Sequence, residues 1–241
     1  MILVTGGTGQ IGSRLLLNLT KNKAYKVRAI YRNTQSLEKI RQLFVKHSDS
    51  GTAQFDTIEW IQADLSNIPA LEKAFEGVTF VFHCAGLISF QPQDFDKLIE
   101  VNVQGTANIV NLSIDFGVKK LCYVSSVATL STLPHTPIDE ENDWNNEDNN
   151  TDYAISKHGA EMEVWRGSQE GLPVVIVNPS VVLGGDFADR GSGLLYKKVA
   201  DGLRYYPAGA TGFVGVDDVV RAMVQLQFSE VAGERFVLNA E

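Results

Sequence analysis

The amino-acid sequence predicts an α/β protein built around a doubly wound parallel sheet. Short apolar runs alternate with amphipathic segments of helical period through most of the chain, a pattern typical of parallel strands covered by helices on both faces. A glycine-rich turn joins the first apolar run to the first amphipathic segment. The length of 241 residues and the hydrophobic content of 44% suit one large domain with a full core.

The elements follow in order along the chain. Strands are predicted at residues 2–4, 25–32, 57–62, 79–84, 121–125, 174–178 and 236–239. Helices are predicted at 11–19, 36–46, 68–75, 95–116 and 152–169, and Gly117 takes the usual glycine position past a helix end. A polar loop is expected at 47–54. Beyond Pro179 the chain is expected to be irregular as far as a segment at 191–202, and residues 213–219 then lead a further helix.

Composition narrows the possible partners and compartments. A net charge of -8 disfavours nucleic acid and anionic membrane surfaces as partners. No apolar run approaches the ~20 residues that span a bilayer. The first strand starts at the amino terminus, which leaves no room for a signal peptide, so a cytoplasmic protein is expected. Cys84 and Cys122 fall in two strands predicted to be neighbours, which favours reduced, buried thiols. The four histidines have no ligand spacing, so no metal site is predicted.

The turn Thr5-Gly-Gly-Thr-Gly-Gln-Ile-Gly12 has the features of a phosphate-binding loop. Gly6 permits a tight turn, Gly9 lets a pyrophosphate approach the backbone, and Gly12 lets the helix lie close to the sheet. The first N–H groups of that helix have no intrahelical partner and favour an anion. The loop residues expected to hold a dinucleotide are Gly6, Thr8, Gly9, Gln10, Ile11 and Gly12.

The spacing Gly6-x-x-Gly9-x-x-Gly12 at the amino terminus resembles the extended branch of the short-chain dehydrogenase/reductase superfamily. The resemblance implies a Rossmann-type domain at residues 1–178. Residues 179–241 would then supply substrate-lobe segments interleaved with the last sheet elements. Chains of this family usually continue further, and their Pro-Gly after the sixth strand is Pro179-Ser180 here, so a small, incomplete substrate lobe is expected.

The end of the second strand bears on the choice of coenzyme. Arg32 stands where an NAD-type site places an acidic residue, twenty positions after Gly12, and no carboxylate lies between Tyr25 and Ser36. A guanidinium binds a 2′-phosphate, whereas a carboxylate would repel it. NADP(H) is therefore predicted, with NAD(H) as the other possibility. A surface arginine at a strand end is the competing interpretation, and Arg28 is a weaker candidate on the opposite face.

The resemblance also implies further coenzyme contacts. Asp64 and Leu65 correspond to the family's adenine-binding pair, although Asp64 would also suit a helix cap. The small-residue turn Cys84-Ala85-Gly86 corresponds to the family's turn beneath the phosphates and ribose, and His83 is expected to be a packed strand residue. The segment Asn178-Pro-Ser-Val-Val-Leu-Gly184 corresponds to the stretch flanking the nicotinamide, which adds Pro179 and Val182.

Tyr153-Ala-Ile-Ser-Lys157 carries the predicted chemistry. Residues four apart share a helical face, and a nearby ammonium favours the phenolate form of a tyrosine, so the pair suits proton transfer to or from a substrate oxygen. Ser126, after the fifth strand, aligns with the family's catalytic serine and would orient a carbonyl, unless the serines only end a strand. Asn102 corresponds to the asparagine that supports a water-linked proton path, with a backbone-bonded helix residue as the alternative.

These features predict an NADP(H)-dependent oxidoreductase resembling dihydroflavonol reductases, acting on a small organic carbonyl or alcohol. A nucleotide-sugar epimerase or dehydratase using NAD is the first alternative, and a non-catalytic NADP(H)-sensing protein is the second. The family often forms homodimers through the helices at 95–116 and 152–169, so a homodimer is possible here. Four apolar residues hint at a substrate pocket: Phe90, Phe95, Leu133 and Phe187. The acidic stretch 139–150 is either a solvated loop or a flap over the substrate.

Overall fold

The computed structural model describes residues 1–131, 137–187, 193–202 and 211–240. In these ranges the strands are β1 (Ile2–Thr5), β2 (Val27–Tyr31), β3 (Glu59–Gln62), β4 (Phe80–His83), β5 (Lys120–Val124), β6 (Val174–Pro179), β7 (Val181–Leu183), β8 (Phe213–Gly215) and β9 (Glu234–Leu238). The helices are α1 (Gln10–Leu19), α2 (Thr34–His47), α3 (Gly51–Asp56), α4 (Ile68–Phe75), α5 (Phe95–Leu98), α6 (Gly105–Asp115), α7 (Asp152–Gln169), α8 (Gly193–Ala200) and α9 (Val216–Gln227).

Seven of the described strands form one sheet in the order β3-β2-β1-β4-β5-β6-β9. Every neighbouring pair in it is parallel. The order reverses direction beside β1, and ligands of such sheets bind at the carboxyl ends of the strands near that reversal. The predicted Rossmann-type sheet is confirmed.

The core lies in two layers, one on each face of the sheet. One layer packs α1, α2 and α9 through residues such as Leu16, Phe44 and Met223. The other packs α4, α6 and α7 through residues such as Phe75 and Val164. Because helices cover both faces, the strands are buried on both sides, as their continuous apolar runs indicated.

The structure differs from the sequence prediction in three places. The expected polar loop at 47–54 contains most of α3, which is held by Phe55 against Phe44 at a ring-centroid distance of 5.7 Å. Part of the segment expected to be irregular after Pro179 is β7, which pairs in parallel with β8. A six-residue helix and a three-residue strand are too short for a hydrophobic period to reveal them.

The helix predicted at 95–116 is the third difference, because it is built from three pieces. A π-helical segment, Ile99–Gln104, joins α5 to α6. Such segments are rare and often lie at functional sites. This one contains Asn102, whose side chain is buried.

Two further observations concern the ends of elements and the membrane. Gly117 has φ +64°, as expected for a glycine past a helix end. Among the helices of the described ranges, none is long and apolar enough to cross a membrane. The boundary between residues 178 and 179 stays a prediction; β9, from the later segment, joins the sheet beside β6.

Candidate active site

The glycine turn after β1 closes tightly on the loop after β4. Gly6 has φ +67°, and a Cβ placed there would lie 2.6 Å from the Ala85 nitrogen, so only glycine fits. A Cβ on Gly12 would collide with the Gly6 carbonyl, which shows how closely α1 approaches the turn. Helix α1 begins after Gly9 with no side-chain cap and no acidic residue in its first turn. Its first N–H groups therefore suit a phosphate.

A cavity of about 200 Å³ lies at the carboxyl ends of β1, β2, β3 and β4. The predicted coenzyme residues that line it are Gly6, Thr8, Gly9, Arg32, Asp64, Leu65, Cys84, Ala85 and Gly86. A cradle of small residues on one side and Arg32 on the other fits the phosphates and adenosine of a dinucleotide.

The remaining predicted coenzyme residues lie outside the lining of that cavity. The Gln10 side chain donates to the Val182 carbonyl at 3.3 Å and so ties α1 to β7. Ile11 packs against the core, and Pro179 ends β6. Their roles toward a coenzyme stay predictions.

Arg32 directly follows β2 and is exposed beside the cavity. Within the described ranges its guanidinium forms no ion pair, and its carbonyl accepts from Gln62 at 3.1 Å. Arg28 is placed differently. It is buried, donates to the carbonyls of Ala74 and Glu76 at 2.8 and 2.7 Å, and pairs with Glu59. Arg28 therefore holds the end of α4, and Arg32 is the arginine available to a ligand.

In the predicted adenine pair, Asp64 is partly exposed and Leu65 is buried. The Asp64 carboxylate accepts from the backbone and hydroxyl of Ser66 through Oδ1, at 3.1 and 3.0 Å. It does not cap α4, because Asn67 accepts from Ala70 at that helix start. Leu65 is buried against Gly105, where a Cβ would lie 2.8 Å from its side chain.

Tyr153 and Ser126 lie next to each other. Ser126 follows β5 and Tyr153 lies in the first turn of α7. Burial raises the pKa of Tyr153 to about 12, and the neighbouring Ser126 side chain opposes that rise in part. Tyr153 is therefore a neutral phenol at physiological pH. Ser125, the neighbouring serine, instead donates to the buried Glu161 at 2.5 Å.

Lys157 lies one turn after Tyr153 and is buried. In the described part of the chain its ammonium donates to the Tyr123 hydroxyl at 2.6 Å and to the Val124 carbonyl at 2.8 Å. The sequence predicted that this ammonium lowers the pKa of Tyr153, but in the described ranges it bonds to β5 instead and the pKa of Tyr153 is raised. Burial lowers the pKa of Lys157 to about 7, and the nearby Glu161 opposes that shift. A Cβ on Gly86, which lines the cavity, would lie 3.9 Å from Nζ of Lys157, so Lys157 borders that cavity.

Asn102 anchors the loop after β4. Its amide donates to the Leu87 carbonyl at 3.0 Å and to Ser156 at 2.9 Å, and its oxygen accepts from the Leu87 nitrogen at 2.7 Å. These bonds reach from the π-helical segment to both the coenzyme cradle and α7. The predicted role in a proton path is not tested by these contacts.

Sequence reasoning missed Glu161, which lies four residues after Lys157. It is 1% exposed and accepts hydrogen bonds on both carboxylate oxygens. Its hydrogen-bond donors are the side chains of Ser125, Thr129, Asn178 and Trp165, and the Arg235 guanidinium forms an ion pair with it. The regular spacing of Tyr153, Lys157 and Glu161 along one helix face was the available signal.

The aromatic residues singled out in the sequence separate into two groups. Phe90 is 70% exposed, and its ring stands edge-on to Tyr153 at 5.8 Å. Phe95 is also partly exposed, whereas Phe187 is buried in the core. Leu133 lies outside the described residues. Of the three described residues in this group, Phe90 is the one with a recorded ring contact to the candidate catalytic tyrosine.

Comparisons with known proteins agree with this geometry. The sequence pattern of the NAD dependent epimerase/dehydratase family matches residues 2–238. Sterol demethylase protein B from Methylococcus capsulatus is 29% identical over 99% of this chain and 69% of its own length. Tetraketide alpha-pyrone reductase 2 from Arabidopsis thaliana is 30% identical over 99% of this chain and 77% of its own. The crystal structure of gox2253 superposes with a TM-score of 0.84 at 29% identity, covering 100% of this chain and 70% of that one.

Proposed function

The chain belongs to the NAD dependent epimerase/dehydratase family, and we propose that it is an NADP(H)-dependent reductase of small organic carbonyl compounds. The resemblance to extended short-chain enzymes of the dihydroflavonol reductase-like branch is confirmed at family level. The observation that carries the proposal is the placement of Tyr153 beside Ser126 and one helical turn before Lys157, which borders the cavity that Arg32 lines.

The proposed coenzyme follows from the charges around the cavity. The residues fit a dinucleotide, because the turn has no room for larger side chains at Gly6 and Gly12 and α1 offers uncapped N–H groups. Arg32 supplies a guanidinium free to bind a 2′-phosphate bidentately. Among the described residues that line the cavity, Asp64 is the one carboxylate, and it belongs to the adenine side in the predicted arrangement.

The nicotinamide coenzyme would supply the hydride, and the protein residues would handle the proton and the geometry. Tyr153, protonated at neutral pH, would donate its phenolic proton to the oxygen of a carbonyl as that oxygen gains charge. Ser126 would donate a hydrogen bond to the same oxygen and hold it in place. Lys157 would bind the ribose next to Gly86 and replace the proton lost from Tyr153.

Substitution of Tyr153 tests the chemistry. Tyr153→Phe should reduce kcat for carbonyl reduction by about 10²–10⁴-fold, the range for loss of a general acid, while NADPH binding by fluorescence stays unchanged. Tyr25→Phe is the matched control, because Tyr25 stacks on Phe228 at 5.3 Å, beside the amino ends of the strands. Near-normal turnover by Tyr153→Phe with any reducible ketone or aldehyde would refute the mechanism.

Substitution of Arg32 tests the coenzyme. Arg32→Ala should weaken NADPH binding about 10–100-fold, since a hydrogen bond to a charged group contributes about 1.5–3 kcal/mol, and leave NADH binding unchanged. Arg221→Ala, which removes an exposed arginine paired with Asp218, is the control. Equal affinities of the wild-type protein for NADPH and NADH would contradict the assignment and favour the epimerase alternative.

A further inference from the structure

One guanidinium joins the acidic segment at 139–143 to the buried carboxylate of α7. Arg235 lies in β9, and its side chain is 16% exposed. Its Nε and Nη2 donate to the Glu140 carbonyl at 3.0 and 2.8 Å, and Nη2 also donates to the Asn142 carbonyl at 3.0 Å. On the other side, Nη1 lies 3.5 Å from Oε1 of Glu161. A planar guanidinium has donors on separate edges, so it can hold both groups at once.

The acidic segment has further contacts with β9 and α7. The Glu140 carboxylate accepts from the Val237 N–H at 2.7 Å, so the segment and β9 bond to each other in both directions. Directly after the segment, the Trp144 ring stacks on His158 of α7, with centroids 4.3 Å apart and planes 8° from parallel. The start of the acidic stretch is therefore packed against β9 and α7.

Glu161 in turn holds the groups around Ser126. Its Oε2 accepts from the Ser125 hydroxyl at 2.5 Å and from the Asn178 amide at 3.0 Å. The same amide nitrogen lies 3.1 Å from the Ser126 carbonyl, and its two protons can serve both oxygens. The Thr129 hydroxyl lies 2.9 Å from each of these two oxygens. The backbone at Ser126 is therefore held by side chains that Glu161 orients.

The contacts of Oε1 decide which way this carboxylate is turned. Arg235 and the Trp165 indole both face Oε1, at 3.5 and 3.3 Å, so Oε2 is left for the groups around Ser126. Removal of the opposite charge from a buried carboxylate is strongly unfavourable. Without Arg235, the indole is the one described donor left on Oε1, and the carboxylate can rotate away from Asn178.

We propose that Arg235 is a positioning residue, which fixes the backbone at Ser126 through Glu161 and Asn178 and joins it to the acidic segment. The inference rests on the proposed function of Ser126 and deepens it, because it identifies what holds that serine in place. Among the described residues that line the coenzyme cavity, Arg235 is not present, so it would act on the reaction through Ser126.

Arg235→Met in the full chain tests the kinetic consequence, because it keeps a long apolar side chain and removes every donor. The kcat for carbonyl reduction should fall about 10-fold, as expected for a slightly misplaced group, while NADPH binding stays unchanged. In a Ser126→Ala background the same substitution should have little further effect, because residues that act through one another are not additive. An equal fold loss in both backgrounds would overturn the proposal. Arg221→Met, at an exposed arginine paired with Asp218, is the control.

Amide hydrogen exchange of the folded protein, without substrate or coenzyme, tests the positioning itself. The Ala128 and Thr129 amides bond to the hydroxyl and the carbonyl of Ser126, both at 3.1 Å. Arg235→Met should raise the exchange rates of both amides about 10-fold through local opening. The amide of Thr20, at the end of α1, should keep its wild-type rate. Unchanged rates at the first two amides, or an equal increase at all three, would contradict the proposed role.

Arg235→Lys covers an Arg235→Met protein that does not fold. A lysine keeps the charge beside Glu161 but has one nitrogen in place of three, so it cannot hold both Glu161 and the Glu140 carbonyl in the same geometry. The two amides next to Ser126 should again exchange faster than in the wild type, by a smaller factor, and wild-type rates at both would overturn the proposal. Because the exchange readout needs no carbonyl compound, absence of carbonyl reduction would refute the proposed function and leave this test standing.

Discussion

The buried carboxylate of Glu161 offers the most direct test of how this site is held together. Glu161→Gln keeps the shape of the side chain and removes one acceptor. The carboxylate accepts from three groups on Oε2, at 2.5, 2.9 and 3.0 Å. On Oε1 it accepts from the Trp165 indole at 3.3 Å and forms an ion pair with the Arg235 guanidinium at 3.5 Å.

The loss of stability expected for Glu161→Gln follows from the number of donor groups left without an acceptor. If the glutamine oxygen replaces Oε2, its amide group faces Trp165 and Arg235, both of which are donors. Each buried donor without a partner costs about 1–3 kcal/mol, and Arg235 is partly reached by water. A loss of about 2–5 kcal/mol in the free energy of unfolding is therefore expected, which corresponds to roughly 5–15 °C in Tm for a chain of this size.

Urea unfolding at neutral pH measures this change. Glu163→Gln is the matched control on the same helix, because Glu163 pairs with Arg166 at the surface and such pairs contribute only about 0–1 kcal/mol. If Glu161→Gln unfolds within about 1 kcal/mol of wild type, the carboxylate does not hold Ser125 and the end of β6 in place, and the reasoning fails.

Two further predictions concern the turn and the pH dependence. Gly12→Ala should destabilise the protein by about 1–3 kcal/mol, because the added Cβ meets the Gly6 carbonyl. Gly185→Ala is the control and should leave stability unchanged, since its Cβ would lie in open space. Thermal unfolding compares the two variants. The pKa of Lys157 is about 7 in the folded protein and 10.5 in its ordinary state. Between these pH values the unfolded chain binds more protons than the folded one. The free energy of unfolding should therefore rise with pH across that window. Comparison with Lys157→Met by urea unfolding at pH 7, 8 and 9 should show that slope, at most about 1.4 kcal/mol per pH unit, only in the wild type.

Local patterns accounted for much of the fold. The predicted helices at 68–75 and 152–169 match α4 and α7 residue for residue. Both have side chains that cap their first turns, Asn67 bonding to Ala70 and Thr151 bonding to Ala154. A capped start followed by an amphipathic run can be recognised from neighbouring residues alone. Strands were predicted for the same reason, since apolar runs bounded by turns are local.

Features that depend on distant partners were not predictable in this way. Strand β7 exists because it pairs with β8, some thirty positions later. The distinction between Ser125 and Ser126 also required the structure: both follow β5, but the Ser125 hydroxyl donates to Glu161, whereas the Ser126 side chain lies beside Tyr153. From sequence alone, that distinction rested on the family resemblance.

The same contrast applies to the chemistry of Lys157. The spacing of four residues from Tyr153 indicated a catalytic pair, but it could not show what keeps a lysine in a dry interior. The structure provides an acceptor on each side, the Tyr123 hydroxyl and the Val124 carbonyl, and a carboxylate one turn away in Glu161. These contacts offset only part of the cost of burial, so the ammonium is held in place while its pKa stays near neutrality. In the proposed mechanism, a lysine held in this way loses and regains a proton at a pH where Tyr153 stays protonated, which is the combination that a proton-donating tyrosine needs.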